Sequence, residues 1–169
     1  MPAAPRRQQG FTLVEILVVL VIISIIVVLA AVRFGQSDVD TLQRESERLS
    51  LLLETARDEA IATGAAAGFS AEPGGYRFWL QQPDASWQPV AESEVLRPRE
   101  LPQALRLANL RVNLQPLPEG GRIVFSPSGV NAPFSLSLYA GAERRTLQAD
   151  ALGRITVANP QVQAAGAAP

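Results

Sequence analysis

The sequence contains no cysteine, no histidine and no lysine. Without cysteine, disulfide and thiolate chemistry is excluded, and without histidine the usual general base and the commonest metal ligand are missing. The 15 basic residues, all arginine, nearly balance 16 acidic residues and leave a formal charge of −1. That balance gives no electrostatic reason to expect nucleic acid as a partner. We therefore expect a protein that is not an enzyme and has no metal site and no cofactor.

One long apolar run stands near the start of the chain. From Ile16 to Val32 it reads ILVVLVIISIIVVLAAV, with Ser24 as its one polar side chain. Together with residues 11–14, a helix of this run would be roughly 33 Å long, which matches a hydrocarbon core of about 30 Å. Arg6 and Arg7 precede the run and only Arg33 follows it closely. The positive-inside rule thus predicts a transmembrane helix at 11–33, with its N-terminus in the cytoplasm.

Glu15 is the feature that a simple membrane segment does not explain. A secretory signal peptide, cut after Ala30 or Ala31, and an ordinary single-span anchor both remain open, yet neither needs a carboxylate in the apolar run. A cut after Gly10 would place a positive α-amine on Phe11, four residues from Glu15. In a bundle of such helices, the carboxylate of one subunit can meet the amine of its neighbour only at one axial stagger. This interpretation assigns Glu15 to subunit register and assembly.

The same stretch, RRQQG/FTLVEILVVLVIISII, resembles the type IV prepilin signature at Gly10, Phe11, Thr12, Leu13 and Glu15. The resemblance implies that residues 1–10 are a leader and that an inner-membrane prepilin peptidase cuts between Gly10 and Phe11. It also implies N-methylation of the new N-terminal Phe11.

Residues 34–63 are predicted to continue as the periplasmic part of the N-terminal helix. Apolar residues at helical spacing form one stripe, and charged residues occupy the opposite face as a solvated surface. The stripe comprises Leu42, Leu49, Leu52, Leu53, Ala56, Ala60 and Ile61, and the charged face Arg44, Glu47, Arg48, Glu54, Arg57 and Asp58. Asp38 or Asp40 is a candidate N-cap, Gly64 suits the C′ position, and FGQSD at 34–38 predicts a soft joint.

After Gly64 the period changes to two, which predicts a β-rich periplasmic domain at 64–158. Short strands are expected at 67–70, 76–80, 105–107, 110–114, 122–125, 134–139, 145–149 and 154–157. The fold class is therefore α+β, a long N-terminal helix packed on an antiparallel β-sandwich or meander. The proline-rich stretch 81–104 predicts a long surface excursion, and Trp79 and Trp87 are expected as core or loop anchors. The uncharged tail 159–169 is predicted to be disordered.

Two further stretches are similar to the H-class minor pseudopilin of type II secretion. They are LLLETARDEAIATG with the following GYRFWL, and IVFSPSGVNAPFSLSLYAG with RRTLQADALGRITV. In these, Gly129 and Gly153 are expected at positive φ. The resemblance implies a pilin-like subunit near the tip of a periplasmic pseudopilus that helps export folded proteins through the outer membrane. It also implies the I-, J- and K-class minor pseudopilins, the major pseudopilin, the prepilin peptidase and the inner membrane as partners.

Two other functions stay open at this point. A minor pilin of a type IV pilus, including the DNA-uptake kind, would use clustered cations, for which Arg144, Arg145 and Arg154 are the candidates. A membrane-anchored periplasmic enzyme or binding domain would need a site, and no nucleophile–base pair, metal motif or phosphate loop is visible.

Overall fold

The structure, a computed structural model, describes residues 13–91 and 93–158, with side chains at 29–37 left out. The chain divides into two compact units between Ser37 and Asp38. The leader at 1–10 and the tail at 159–169 lie outside the described residues. The helix α1 runs from Leu13 to Thr63 and is the only α-helix within residues 13–91 and 93–158. Because 34–38 is helical, the expectation that Asp38 or Asp40 caps a helix start is wrong.

Helix α1 ends as the sequence predicts, at a glycine in the left-handed conformation. Gly64 has a φ of 69°, and its N–H donates to the carbonyl of Ala60 at 3.1 Å. This bond satisfies one of the carbonyl groups that the last turn of a helix leaves without a partner.

Ten strands follow the helix and form two antiparallel sheets. They are β1 (Ala67–Glu72), β2 (Gly75–Gln81), β3 (Trp87–Pro89), β4 (Arg99–Glu100), β5 (Leu105–Val112), β6 (Gln115–Pro116), β7 (Ile123–Phe125), β8 (Phe134–Ala140), β9 (Glu143–Ala149) and β10 (Ile155–Ala158). The first sheet has the order β3–β2–β1–β7, with β4 also paired to β2. The second has the order β10–β9–β8–β5–β6. The predicted α+β class with antiparallel sheets is confirmed.

Most predicted strands match observed ones, but the short strand β6 was not predicted, and two further regions differ. Residues 105–107 and 110–114 were expected as separate strands, but they are one strand, β5, interrupted by a bulge between Ala108 and Arg111. The stretch 81–104 is more than a surface excursion, because it contributes β3 and β4 and buries Leu96 and Leu101. The prolines in this stretch argued against strands, because proline has no N–H to donate. Pro89 is nevertheless tolerated in β3, since β3 is an edge strand and pairs on one side only.

The core forms where the apolar stripe of α1 meets both sheets. Leu42, Leu49 and Leu53 are fully buried, as are Phe69 and Phe78 of the first sheet and Leu136 and Leu147 of the second. Phe69, Tyr76 and Phe78 form a mutual aromatic cluster, with ring centroids 5.4–6.0 Å apart.

The predicted helix stripe is correct except at its end. Ile61 is 48% exposed and does not belong to the core. The stripe also includes a polar residue that periodicity did not predict, the fully buried Ser46. Its hydroxyl donates to the carbonyl of Gln43 at 2.8 Å, which satisfies the donor without leaving the helix.

Candidate functional site

The N-terminal motif is only partly described. Gly10 and Phe11, the predicted cleavage and methylation residues, lie outside the described residues, so both assignments stay predictions. Glu15 lies in the first turn of α1, where a carboxylate is favoured by the helix dipole, and its side chain is exposed. The register role of Glu15 also stays a prediction.

Residues 13–28 present apolar side chains around the whole circumference of the helix. Large hydrophobic residues from Leu13 to Val28 are all between 45% and 82% exposed. Ser24 donates its hydroxyl proton to the carbonyl of Leu20 at 2.8 Å, so this polar group is satisfied within the helix. A helix with no polar face requires an apolar environment. Among the described residues, no helical stretch combines the length and the apolarity needed to cross a bilayer.

The last turns of α1 are hydrogen-bonded to one turn of the β-domain, and that turn is bonded to a second. Arg57 Nη1 donates to the carbonyl of Gly153 at 2.8 Å, and Asn131 N–H donates to the carbonyl of Ala151 at 2.9 Å. Asn131 Oδ1 accepts from the N–H of Ser126 at 2.7 Å. Gly129 and Gly153 have φ values of 77° and 70°, so the expectation of positive φ at these two glycines is confirmed.

The burial of Arg57 and its long-range hydrogen bond were not predicted from the sequence. It was expected on the solvated face of the helix, but its side chain is only 19% exposed. Helical periodicity places Arg57 at the margin of the stripe, and only the long-range return of the 150–154 turn buries it. The corresponding signal in the sequence is the glycine at 153, whose missing side chain leaves room for the arginine: a Cβ there would lie 2.6 Å from Arg57 Cδ.

The two tryptophans lie together on the outer face of the first sheet. The guanidinium of Arg122 stacks 4.2 Å from the Trp79 ring and 5.6 Å from the Trp87 ring. Gly68 allows this arrangement, because a Cβ at that position would lie 2.9 Å from the Trp87 ring. Trp79 Nε1 donates to the hydroxyl of Ser70 at 2.8 Å. Both rings are half-buried and cover the sheet as anchors.

The three arginines that a DNA-uptake pilin would need are not brought together. Arg144 and Arg145 are adjacent in β9 and therefore point to opposite faces of the sheet. Arg145 Nε donates to Gln43 Oε1 on the helix at 3.1 Å. Arg154 lies 3.4 Å from the carboxylate of Asp150, whose pKa is lowered chiefly by a hydrogen bond from the Arg154 backbone N–H.

The fold changes the titration of Tyr76. It is 2% exposed, and its hydroxyl has no hydrogen-bond partner among the described residues. Burial raises the pKa of Tyr76, and the nearby carboxylate of Glu45 raises it further, against a smaller lowering by Arg99 and Arg48. Within the described part of the chain, no three His, Cys, Asp or Glu side chains are grouped to hold a metal ion.

Two family models match this chain. The prokaryotic N-terminal methylation motif matches residues 5–31, and type II transport protein GspH matches residues 45–153. The first covers residues 5–10 of the predicted leader and the N-terminal part of the helix. The second extends from the amphipathic part of α1 to the turn at Gly153.

Curated relatives and a solved structure agree with the GspH family match. The chain is 31% identical over 159 residues to type II secretion system protein H of Pseudomonas aeruginosa, with 84% of this chain and 90% of the relative covered. It is 27% identical over 170 residues to the protein of the same name from Aeromonas hydrophila, covering 89% and 93%. In fold it is similar to the minor pseudopilin EpsH of Vibrio cholerae, with a TM-score of 0.59 and 20% identity. That match covers 71% of this chain and 98% of EpsH.

The resemblance expected from the residues is therefore confirmed in both halves of the chain. The GspH model covers more than half of the sequence, and the helix and two antiparallel sheets agree with the pseudopilin fold. The chain belongs to the type II transport protein GspH family, the H-class minor pseudopilins of type II secretion.

Proposed function

We propose that this chain is a minor pseudopilin located near the tip of a type II pseudopilus, where it helps to export folded proteins across the outer membrane. The observation that carries the proposal is the presence of both family features in one chain, the methylation motif at 5–31 and the GspH domain at 45–153. Its role is structural rather than catalytic.

We propose the following organisation for the working subunit. Residues 1–10 are removed as a leader, 11–33 span the inner membrane, and 34–158 lie in the periplasm, with residues 64–158 as the β-rich part and 159–169 as a disordered tail. The apolar surface around residues 13–28 and the division of the chain after Ser37 support this arrangement. The partners are the I-, J- and K-class minor pseudopilins, the major pseudopilin and, during maturation, the prepilin peptidase.

Processing provides the first test. The full chain, expressed with a prepilin peptidase, is expected to begin at an N-methylated Phe11, and intact-mass measurement reads this directly. Gly10→Leu is expected to retain the leader, whereas Gln9→Leu, the same change one residue earlier, is expected to be processed. A mature N-terminus near Ala31 would instead identify an ordinary signal peptide.

Secretion provides the second test. Deletion of the gene in its host is expected to leave folded exoproteins in the periplasm, and the wild-type chain to restore their export. Pull-down of the detergent-solubilised chain is expected to recover other minor pseudopilins. If deletion abolishes pili or DNA uptake and leaves secretion intact, the protein acts as a type IV pilin instead.

A further inference from the structure

The charged side chains on the outer face of the second sheet are all arginines. Along β5, β8, β9 and β10 the alternate residues that point away from the core are mostly arginine or polar. We call this surface the arginine face; it comprises Arg106, Ala108, Arg111, Ser135, Ser137, Tyr139, Arg144, Thr146, Gln148, Thr156 and Ala158. No carboxylate belongs to it among the described residues. Sequence reading missed the cluster because its three arginines come from two strands far apart in the chain.

Two of these arginines flank an aromatic ring. Arg106 and Arg144 are both direct cross-strand partners of Tyr139, on opposite sides of β8. Strands are spaced by about 4.8 Å, so the two arginine Cα atoms lie roughly 10 Å apart. The Arg106 guanidinium stacks 4.7 Å from the Tyr139 ring, whose hydroxyl accepts a hydrogen bond from Asn109. Neither arginine forms an ion pair with a described carboxylate, so both charges are available to a partner.

A cavity adjoins the other end of the arginine face. Its volume is about 570 Å³, and it lies beside Ser135 and Gln148, with Leu114, Phe134 and Ala149 among its apolar lining residues. Ser135 is the cross-strand partner of Arg111. The cavity therefore begins next to the third arginine, four residues or about 14 Å along β8 from Tyr139.

Leu114 makes the rim of this cavity unusual. It is 83% exposed and has a φ of 66° in the two-residue turn between β5 and β6, where Asn113 also has positive φ. Such a turn favours glycine at the second position, because a branched side chain is strained in the left-handed region. Because it is so exposed, Leu114 buries little apolar surface that could offset this strain, and local strain of this kind concentrates at functional surfaces.

Helix α1 carries a surface of complementary chemistry. Between Asp38 and Thr63 it has seven acidic residues and three arginines. Glu47, Leu51, Glu54 and Asp58, at spacings of four, three and four, form one side that we call the acidic stripe. Arg44 and Arg48 border its N-terminal end, and Asp58, still 63% exposed, also pairs with Arg57 at 2.7 Å. Leu51 in its centre is 64% exposed. Glu54 and Asp58 follow Leu51 by about 4 Å and 10 Å along the helix axis.

We propose that the acidic stripe of one copy of this chain docks on the arginine face of a second copy. Leu51 enters the cavity beside Leu114, Glu54 approaches Arg111, and Asp58 approaches Arg106 and Arg144, whose long side chains cover the remaining distance. The two surfaces differ, so the contact is heterologous and leaves one of each available for a further copy. The contact does not require the proposed place in a pseudopilus, and its failure would leave that proposal intact.

Cysteine crosslinking tests the contact on the full-length chain, which has no native cysteine. One tagged copy carries Leu51→Cys and a differently tagged copy carries Leu114→Cys; they are mixed in mild detergent and oxidised. The mixed disulfide is expected at least five times more often than with Val95→Cys in place of Leu114→Cys. Val95 is a control because it is also exposed, at 47% against 83% for Leu114, and lies outside the arginine face. Equal yields from both pairs would overturn the proposal.

Charge reversal separates docking from chance collision. Arg106→Glu with Arg144→Glu is expected to lower the crosslinking yield about tenfold, and Asp58→Arg with Glu54→Arg in the other copy to restore part of it. Arg97→Glu, a single reversal of the same kind at an exposed loop residue, is expected to have no effect. Circular dichroism melts of each variant show whether the fold is retained. A folded double variant that crosslinks like the wild type would overturn the proposal.

Leu114→Gly tests the contact with a variant that is expected to fold, because glycine readily adopts the φ of 66° found at Leu114. Glycine relieves the left-handed strain, so the variant is expected to melt at a higher temperature than the wild type. The fraction of dimer, measured by light scattering in detergent at equal protein concentration, is expected to be several-fold lower for this variant than for the wild type. Unchanged association would contradict the proposal. So would micromolar binding of duplex DNA lost in the Arg106→Glu, Arg144→Glu variant, because that result would assign the arginine face to nucleic acid.

Discussion

Arg57 and Gly153 are 96 positions apart in the sequence and share a hydrogen bond of 2.8 Å between the guanidinium and the glycine carbonyl oxygen. The bond joins the end of α1 to the turn between β9 and β10. Arg57 also pairs with the neighbouring Asp58 at 2.7 Å. Because the arginine is mostly buried, the bond is shielded from water and holds the second sheet against the helix.

We expect Arg57→Met, which keeps most of the side-chain stem, to lower the free energy of unfolding by about 1.5–3 kcal/mol, the range for losing a hydrogen bond to a charged group. Urea unfolding followed by fluorescence of Trp79 and Trp87 measures the change. Arg44→Met is the matched control, because Arg44 is exposed and its hydrogen bond reaches only Thr41 of the same helix. Equal midpoints for the two variants would contradict this role of Arg57.

Gly153 itself permits a second prediction. Gly153 and Gly74 have φ values of 70° and 76°, so alanine is strained at both by roughly 1 kcal/mol. Only at Gly153 does a Cβ also meet neighbouring atoms, Arg57 Cδ at 2.6 Å and Asn131 Nδ2 at 3.1 Å. We therefore expect Gly153→Ala to destabilise the domain by at least 1 kcal/mol more than Gly74→Ala in the same urea experiment. Similar losses would mean that Arg57 moves aside at little cost.

These two residues also mark the limit of sequence reading. The periods of 3.6 and 2, the turn glycines and the cap at Gly64 predicted the helix and most strands, because each depends on neighbours within a few positions. Arg57 was misplaced because its burial depends on a turn that returns from the far end of the chain. The burial of Leu96 and Leu101 was not predicted either. These residues lie in a proline-rich stretch whose two short strands pair only with β2, a contact that the local sequence does not indicate. The stacking of Arg122 on two tryptophans likewise needs the space above Gly68.

Tyr76→Phe tests the buried hydroxyl of the core. At pH 8 we expect a change of less than about 1 kcal/mol, because the variant keeps the ring and removes a hydroxyl that has no described partner. Burial raises the pKa of Tyr76 above its ordinary value of 10.0. The folded state therefore holds the phenolic proton more tightly, and this contribution to stability is complete below pH 10 and is lost as the pH rises above it.

Above pH 10 the unfolded wild-type chain gains stability by ionising Tyr76, by up to about 1.4 kcal/mol per pH unit, and the variant does not. Unfolding midpoints of the two proteins are expected to diverge between pH 10 and 11, with the variant more stable. Parallel curves across that interval would show that Tyr76 ionises as readily in the folded as in the unfolded state.

Glu15 permits the prediction that bears most directly on assembly. Glu15→Leu removes a carboxylate from an apolar helix, and insertion scales assign a central acid a cost of about 2.5–3.5 kcal/mol, less near the helix end. Membrane insertion, measured by carbonate extraction, is therefore expected to be as good as in the wild type. On the predicted register role, export of folded protein is expected to fall sharply, because the α-amine of a neighbouring subunit would lose its counter-charge and the axial register would no longer be fixed. Ser24→Ala, in the same helix and with its hydroxyl bonded to its own backbone, is expected to secrete normally. Glu15→Asp keeps the charge on a shorter side chain and is expected to retain part of the export that Glu15→Leu loses. Export at the wild-type level by Glu15→Leu would exclude a register role for this carboxylate.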